Sequence, residues 1–487
     1  MKTKNEKNEV WSCDVLIIGS GPGGATVADS FAERGLDALI IEEGKDFSNT
    51  PLPESASLAM TELWKSAGLL PSFGNANLVY AEGQCVGGGS EINSSILQRP
   101  DDRILQYWAR RIPDLNLTEL KNGFSWAENK LNASIPPGDQ AAPSLVLKNG
   151  AEKLGWDFVF LKRGQVSCMG TNHCSTGCPT GAKQSMSKTL ISKYKSRSGR
   201  LEPNISVIKL VKEGDQVKYA IAEKFSDGIR QKIKIVADFF FVCCGTIGTS
   251  VLLQKSGLKT WKSASFQTHP TIKFICEFDH EISALENQLP VTAIHEFMPK
   301  YRLGGSVLSC GSLGMALAEN WKARKYLATM PKRVGMFYAM INPESWGRVL
   351  KLPVLRDPLV LFNLSDKDAS VLIEAMNRLA KVLFAGGAVK VFPSIRNHGG
   401  WGSFAEAEAD LAHGIKIGDM NLYSIHLFSS CSAISDYSEN DVFGRVKACR
   451  NTFIADSSLI PSAPAVNPQL SVMAFSKMAA DSFLQRI

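Results

Sequence analysis

Apolar positions near the start of the chain cluster in short runs separated by a helically spaced stretch. Asp14-Val-Leu-Ile-Ile18 is a strand-length apolar run, as a strand buried on both faces requires. It leads directly into Gly19-Ser-Gly-Pro-Gly-Gly24. Helical spacing then covers Ala25 to Arg34, and Gly35 ends it. A second apolar run, Ala38-Leu-Ile-Ile41, closes on Glu42-Glu43-Gly44. Three later segments share this punctuation. Tyr80 to Asn93 is glycine-rich. Ala237 to Thr249 is a buried strand ending in a glycine turn, with a helix predicted from Ser250. Asn451 to Pro461 leads through Val466 to Ala474 into a terminal helix. In the interior, Asp366 to Ala385 has helical spacing, with Ser365 as N-cap and Gly386-Gly387 as stop. Strands are predicted within Thr292–Leu303 and Lys351–Leu364.

The opening β-α-β unit has a specific chemistry. Gly19 permits the tight turn off the strand, Gly21 lets backbone approach a pyrophosphate, and Gly24 lets the helix pack closely on the strand. Pro22 and Gly23 lie at the helix start, whose free N–H groups and dipole favour phosphate. Glu42, ending the second strand, can accept from a ribose diol. This fingerprint indicates a dinucleotide without choosing between NAD and FAD.

Composition narrows the class. The chain has 487 residues, 44% hydrophobic and 21% charged, an ordinary globular balance that excludes disordered and collagenous types. Its length suggests two or three domains. A net charge of +7, against 54 basic and 47 acidic residues, gives no argument for nucleic acid. The longest apolar run, Phe239–Cys244 with its flanks, is strand-sized, so no transmembrane segment is expected. The polar start, Met1 to Glu9, has no apolar stretch behind it, so the expected location is cytoplasmic. Eleven cysteines, an odd number, are expected to be mostly reduced thiols.

These four segments, in this order, resemble the glucose–methanol–choline (GMC) oxidoreductase family of flavoproteins. The resemblance implies an α/β fold: a Rossmann-like FAD-binding domain with a parallel sheet, from 1–100, 180–270 and 420–487. A substrate domain with an antiparallel sheet and helices would take 101–179 and 271–419. It implies FAD as cofactor, its ADP half on the first unit. Gly83, Gly87, Gly88, Gly89, Ser90 and Asn93 would lie along the flavin and pyrophosphate. Val207 and Gly245 would join the cofactor-binding set, Asp456 would meet the ribityl chain, and the run before Asn467 would pack near the isoalloxazine.

The resemblance also supplies a catalytic pair. His426-Leu-Phe-Ser-Ser-Cys431 and Asn467-Pro468 match a family stretch H-x-x-G-[TS]-C and a following His or Asn. His426 would be the general base and Asn467 the amide that positions the substrate oxygen. Ser429 departs from the family's usual Gly, and Ser432 and Ala433 from its common Arg and Met. His269-Pro270 resembles an element that bends the chain away from the FAD domain, a structural role. His398 and His413 are expected at the surface. No His lies within 74–100, so a histidyl bond to FAD is not available there. Cys85 is expected to be a buried small hydrophobe, with a thioether to flavin as the alternative.

The implied activity is oxidation of a primary or secondary alcohol, with electrons passing to oxygen, an acceptor protein or a quinone. A lyase or decarboxylase on the same scaffold, or a non-catalytic partner subunit, remain alternatives. A disulfide-reductase flavoprotein would need a second dinucleotide fingerprint and a redox cysteine pair near the first, and neither is found. The 276–420 region, with Trp321, Phe337, Trp346 and Trp401, would line the substrate pocket. Neither substrate nor oligomeric state is encoded in a motif.

Cys168, Cys174 and Cys178 form a C-x5-C-x3-C-P run. Three thiolates can hold a [3Fe-4S] cluster, as on a similar loop in some sugar and polyol dehydrogenases of the family. Zinc, with His173 as fourth ligand, is a second option. The third is structural thiols, since Gly177 to Ser185 resembles a run in long-chain alcohol oxidases.

Overall fold

A computed structural model describes residues 9–48, 55–136, 141–226, 229–260, 262–286, 289–355, 357–436 and 438–487. The first eight residues, on which most of the expected polar amino terminus falls, lie outside the described residues.

The opening unit forms β1 (Glu9–Ile18), α1 (Pro22–Ala32) and β2 (Ala38–Ile41). β1 is the parallel neighbour of both β2 and the strand Ile229–Val242. That double pairing, with helices above and below, explains why Val15 to Ile18 are all buried and all apolar. The pairing also recruits Glu9 to Cys13, whose polar, half-exposed pattern gave no strand signal; they lie alongside Ile233 to Ala237. α1 starts three residues earlier than the spacing predicts, because Pro22 is preset for the first helical turn. Phe31 on α1 meets Phe241 at 5.0 Å and Phe483 of the terminal helix Gln469–Leu484 at 5.3 Å, which ties both ends of the chain to this sheet.

The sheet has seven strands. Arg200–Glu202, β2, β1, Ile229–Val242 and Thr452–Ile454 run parallel, and the hairpin strands Gln216–Ser226 and Ile205–Glu213 extend it antiparallel. The helix Gly245–Lys255 follows Ile229–Val242 directly, beginning at the glycine turn rather than at Ser250.

A second, nine-stranded sheet is largely antiparallel. At its centre Thr271–Phe278 lies between Val334–Ile341 and Asn421–Ser424, with Tyr301–Gly305 beyond Val334–Ile341. Asn77–Tyr80 pairs in parallel with Asn421–Ser424. Segments expected beside the nucleotide-binding sheet therefore also contribute strands here. The helix Asp366–Ala385 has the predicted bounds: Ser365 accepts from the Asp368 N–H, and the chain leaves through Gly387 at φ +101°. Its Leu372, Met376, Leu379 and Leu383 join Phe274, Leu303 and Ala339 in one core. The predicted stretch Thr292–Leu303 splits into Thr292–Ile294 and Tyr301–Gly305. Among the described residues of Lys351–Leu364 the strand is confined to Leu359–Leu361, since Pro353 and Pro358 withhold ladder donors.

The close fit of α1 on β1 makes a sharp test. A Cβ at Gly24 would sit 1.9 Å from the Gly19 carbonyl oxygen, a clash that backbone must absorb. Gly24→Ala should cost about 3 kcal/mol or more. Urea unfolding followed by circular dichroism checks this; an unchanged midpoint would contradict the packing.

Candidate active site

Three parallel strands, β1, Ile229–Val242 and Thr452–Ile454, end at the same edge, and their following turns touch. A Cβ on Gly23 would strike the Ala455 carbonyl at 2.0 Å, and one on Gly88 would come within 2.9 Å of the Gly21 Cα. The turn after β1 is thus pressed against the segment after Thr452–Ile454 and against the glycine-rich Gly83–Gly89 loop. Space remains on the other side: the Cβ direction of Gly89 meets nothing within 4 Å, and that of Gly245 meets only Glu82 Oε1 at 3.9 Å. This is a backbone-lined cradle of the kind a dinucleotide fills.

Hydrogen bonds hold the cradle. Glu42 Oε2 accepts from the Ser20 N–H and hydroxyl, at 3.0 and 2.7 Å, and Oε1 accepts from the Gly44 N–H. Burial pushes this carboxyl's pKa up, against those donors. The Ser20 hydroxyl accepts in turn from the Gly87 N–H. Ser90 donates to the Gly87 carbonyl and accepts from the Met186 N–H. Asp456 accepts from the Gly245 N–H at 2.9 Å, from the Thr249 hydroxyl and from the Ser458 N–H, so it clamps the helix Gly245–Lys255 to the carboxyl-terminal segment. Asn93 donates to Gln469 at the start of the terminal helix. Gly83 lies against the Gly88 backbone. Val207 is half-buried against the first core, two residues past Ile205, whose N–H bonds the Glu42 carbonyl. Glu42 and Asp456 therefore both hold the turns themselves, a role the sequence did not reveal.

His426 lies in the short link between Asn421–Ser424 and the strand Leu427–Phe428. Asn467 immediately precedes Pro468 and the terminal helix. Their side chains meet: Asn467 Nδ2 is 3.1 Å from His426 Nε2. The other face of the amide is held by a residue that sequence reasoning missed. Arg302, 1% exposed, donates from Nη2 to Asn467 Oδ1 at 2.6 Å and from Nη1 to Gln98 Oε1. A guanidinium has donors only, so Asn467 must turn its oxygen to Arg302 and its NH2 to His426. His426 Nε2 is then the acceptor and its proton sits on Nδ1. That Nδ1 lies 3.2 Å from His269 Nδ1, which accepts it. His269 is fully buried. Its sequence context suggested a bend, yet its ring backs His426. The adjacent Pro270 and the buried strands on either side were the only signal.

Electrostatics agree with that tautomer. Burial, then the Arg302 charge, pushes the His426 pKa down to about 3. Burial, His426 and Arg302 hold His269 well below the usual imidazole range. Both rings are neutral near pH 7.

Other expected residues fall elsewhere. Among the described residues no group of three or more His, Cys, Asp or Glu is placed to hold a metal ion, so the ligand option for Cys168, Cys174 and Cys178 gains no support. Cys174 accepts from Arg163 Nη2 at 3.1 Å, Cys178 sits 3.5 Å from the Thr180 hydroxyl, and His173 faces Thr176. All eleven cysteines are free, and Cys85 is buried with Ala59, Leu63 and Ile92. The four aromatics named for a pocket do not gather: Trp321 and Trp346 are exposed, while Phe337 and Trp401 belong to the core behind the second sheet. His413 is exposed as expected, but His398 is half-buried, 2.8 Å from Asp410.

Comparison with known proteins decides the family. Models described as GMC oxidoreductase match residues 60–271 and 354–476. An uncharacterised GMC-type oxidoreductase of Sinorhizobium fredii is 40% identical over 97% of this chain and 94% of its own. The chain belongs to the GMC oxidoreductase family. A long-chain-alcohol oxidase of Arabidopsis thaliana is 24% identical over 94% of this chain and 67% of its own. The crystal structure of a pyridoxine 4-oxidase from Mesorbium loti shares the fold, with a TM-score of 0.74 over 97% of this chain and 99% of that one, at 15% identity. GMC oxidoreductases typically bind FAD. No helix among the described residues is long and apolar enough to cross a membrane.

The departure at Ser429 has a backbone meaning. Ser429 sits at φ +70°, in the left-handed region that glycine enters freely, and its buried hydroxyl has no hydrogen-bond partner. Ser429→Gly should therefore stabilise the protein by about 1 kcal/mol. A higher urea midpoint in the variant is the expected result, and a lower one would count against the strain.

Proposed function

We propose that this GMC oxidoreductase oxidises an alcohol, with His426 as the base and Asn467 as the donor that holds the substrate oxygen. The observation that carries this reading is the 3.1 Å contact between Asn467 Nδ2 and His426 Nε2 beside the glycine cradle. An alcohol hydroxyl inserted between them would exchange one hydrogen bond for two. Its proton would point at the Nε2 lone pair, and its oxygen would accept from Nδ2. Proton removal leaves the positive charge on an imidazole backed by neutral His269.

The turn Gly19–Gly24 with Glu42 suits the ADP half of FAD, with Val207 nearby. Gly83, Gly87, Gly88, Gly89, Ser90 and Asn93 suit the pyrophosphate and flavin side, and Gly245 and Asp456 the ribityl region. When bound, FAD supplies a hydride acceptor at N5. Under this reading residues 1–100, 180–270 and 420–487 serve the cofactor, and the second sheet walls the substrate. Electrons would leave to oxygen or another acceptor.

His426→Ala should abolish bleaching of the flavin by alcohols without oxygen, a loss of roughly 10²–10⁴-fold, while FAD stays bound. Stopped-flow absorbance across an alcohol panel measures this. Equal bleaching by the variant would sink the assignment, and no bleaching of the wild type by any alcohol would favour a lyase.

The histidine's low pKa has two pH consequences. Because only the neutral form is a base, kcat/KM should stay flat from about pH 9 down to about pH 5, with loss only as pH approaches 3. In the unfolded chain the same ring titrates near 6.5. Below that pH the unfolded state holds an extra proton, so this group's contribution to stability falls as pH drops from about 6.5 toward 3. A rate profile with an acid limb near 6.5 would contradict both.

A further inference from the structure

Arg302 is a cation with no acidic side chain paired to it among the described residues. Its guanidinium is buried, it donates to the neutral amide oxygens of Gln98 and Asn467, and its Nε–H has no partner. A buried cation without an anion is costly, and such sites persist where an anion completes them. The strand Tyr301–Gly305 fixes its direction. Tyr301 reaches Glu374 on the helix Asp366–Ala385 at 2.9 Å, so Arg302, one residue on, faces the opposite side of the sheet. Register places Met340 and Thr271 on that side, then Tyr338 and Lys273. The Arg302 guanidinium stands 5.8 Å from the Tyr338 ring centroid, and Gly304 leaves room for that ring. Lys273 is a second cation on this face. The acid that acts on it, Glu319, is already paired to Arg324 at 2.6 Å.

We propose that Arg302 is the anion-binding residue of the substrate site, and that the substrate is an alcohol bearing a carboxylate close to the carbinol carbon. This rests on the alcohol-oxidation reading above. The two functions fit together because Arg302 and His426 are separated by one amide group, Asn467. A hydroxyl held by His426 and Asn467 leaves a neighbouring carboxylate within reach of the unpaired Nε–H. The charge arrives on the second sheet's wall rather than from the glycine cradle, which assigns it to substrate rather than to the phosphates of a cofactor.

The test uses the FAD-loaded enzyme and inert probes: acetate against acetamide, and benzoate against benzamide, each titrated while the flavin spectrum is followed. The wild type should bind the acid of at least one pair roughly 100-fold more tightly than the amide, and Arg302→Met should bring that ratio near one, with Arg302→Lys between them. Among alcohols, lactate should bleach the flavin faster than lactamide, and mandelate faster than mandelamide. A wild type that binds acids and amides equally overturns the proposal, even if no variant folds. So does an unchanged ratio in Arg302→Met accompanied by weaker sulfite addition to the flavin, which would assign the charge to the flavin ring. If acids bind by way of Arg302 but no alcohol bleaches the flavin, the anion site stands and the alcohol-oxidation reading falls.

Discussion

Backbone meets backbone at the carboxyl edge of the first sheet, and most of the molecule is arranged around that contact. Three turns converge where β1, Ile229–Val242 and Thr452–Ile454 end, and they approach to distances at which no side chain fits. The requirement is steric, so it is met by glycine at Gly19, Gly23, Gly24 and Gly88. It is then secured by carboxylates that accept from the exposed N–H groups, Glu42 on one flank and Asp456 on the other. Two acids that would otherwise be expensive to bury are kept in place by four backbone donors and the hydroxyls around them. The cradle and its stability come from the same groups.

The second sheet meets this edge through one polar line. Arg302, Asn467, His426 and His269 each determine the orientation of the next, beginning from a group that can only donate. Four segments supply the members: the strand Tyr301–Gly305, the turn before the terminal helix, the link after Asn421–Ser424, and the end of Ser265–Thr268. The proton position on His426 is therefore a property of tertiary packing. It is set by a charge one amide away, and burial together with that charge keeps the imidazole unprotonated.

Much of this was legible in the chain. The β-α-β unit and the helix Asp366–Ala385 follow from periodicity, caps and glycines, all local signals, as does the order of the four motif segments. His426 and Asn467 could be paired before any coordinates because a motif carries them, and the structure places them in contact. Ser429 was visible as an anomaly, and its positive φ explains why that position favours glycine. Arg302 and Gln98 were not visible. They lie 124 and 328 residues from His426, outside any motif, and only tertiary packing brings them to it, Arg302 from the second sheet and Gln98 from a loop. Of the three options that spacing left open for the cysteine loop, the structure lends its contacts to protein-held thiols, with Cys174 accepting from Arg163 and Cys178 beside Thr180.

Asn467 has two unlike ends, and only one of its two settings suits both neighbours. Reversed, its NH2 would face the Arg302 guanidinium, donor against donor, and its oxygen would face His426 Nε2. The amide therefore works as a one-way connector: an aspartate in its place would present an oxygen to both sides and draw the imidazole proton from Nδ1 to Nε2.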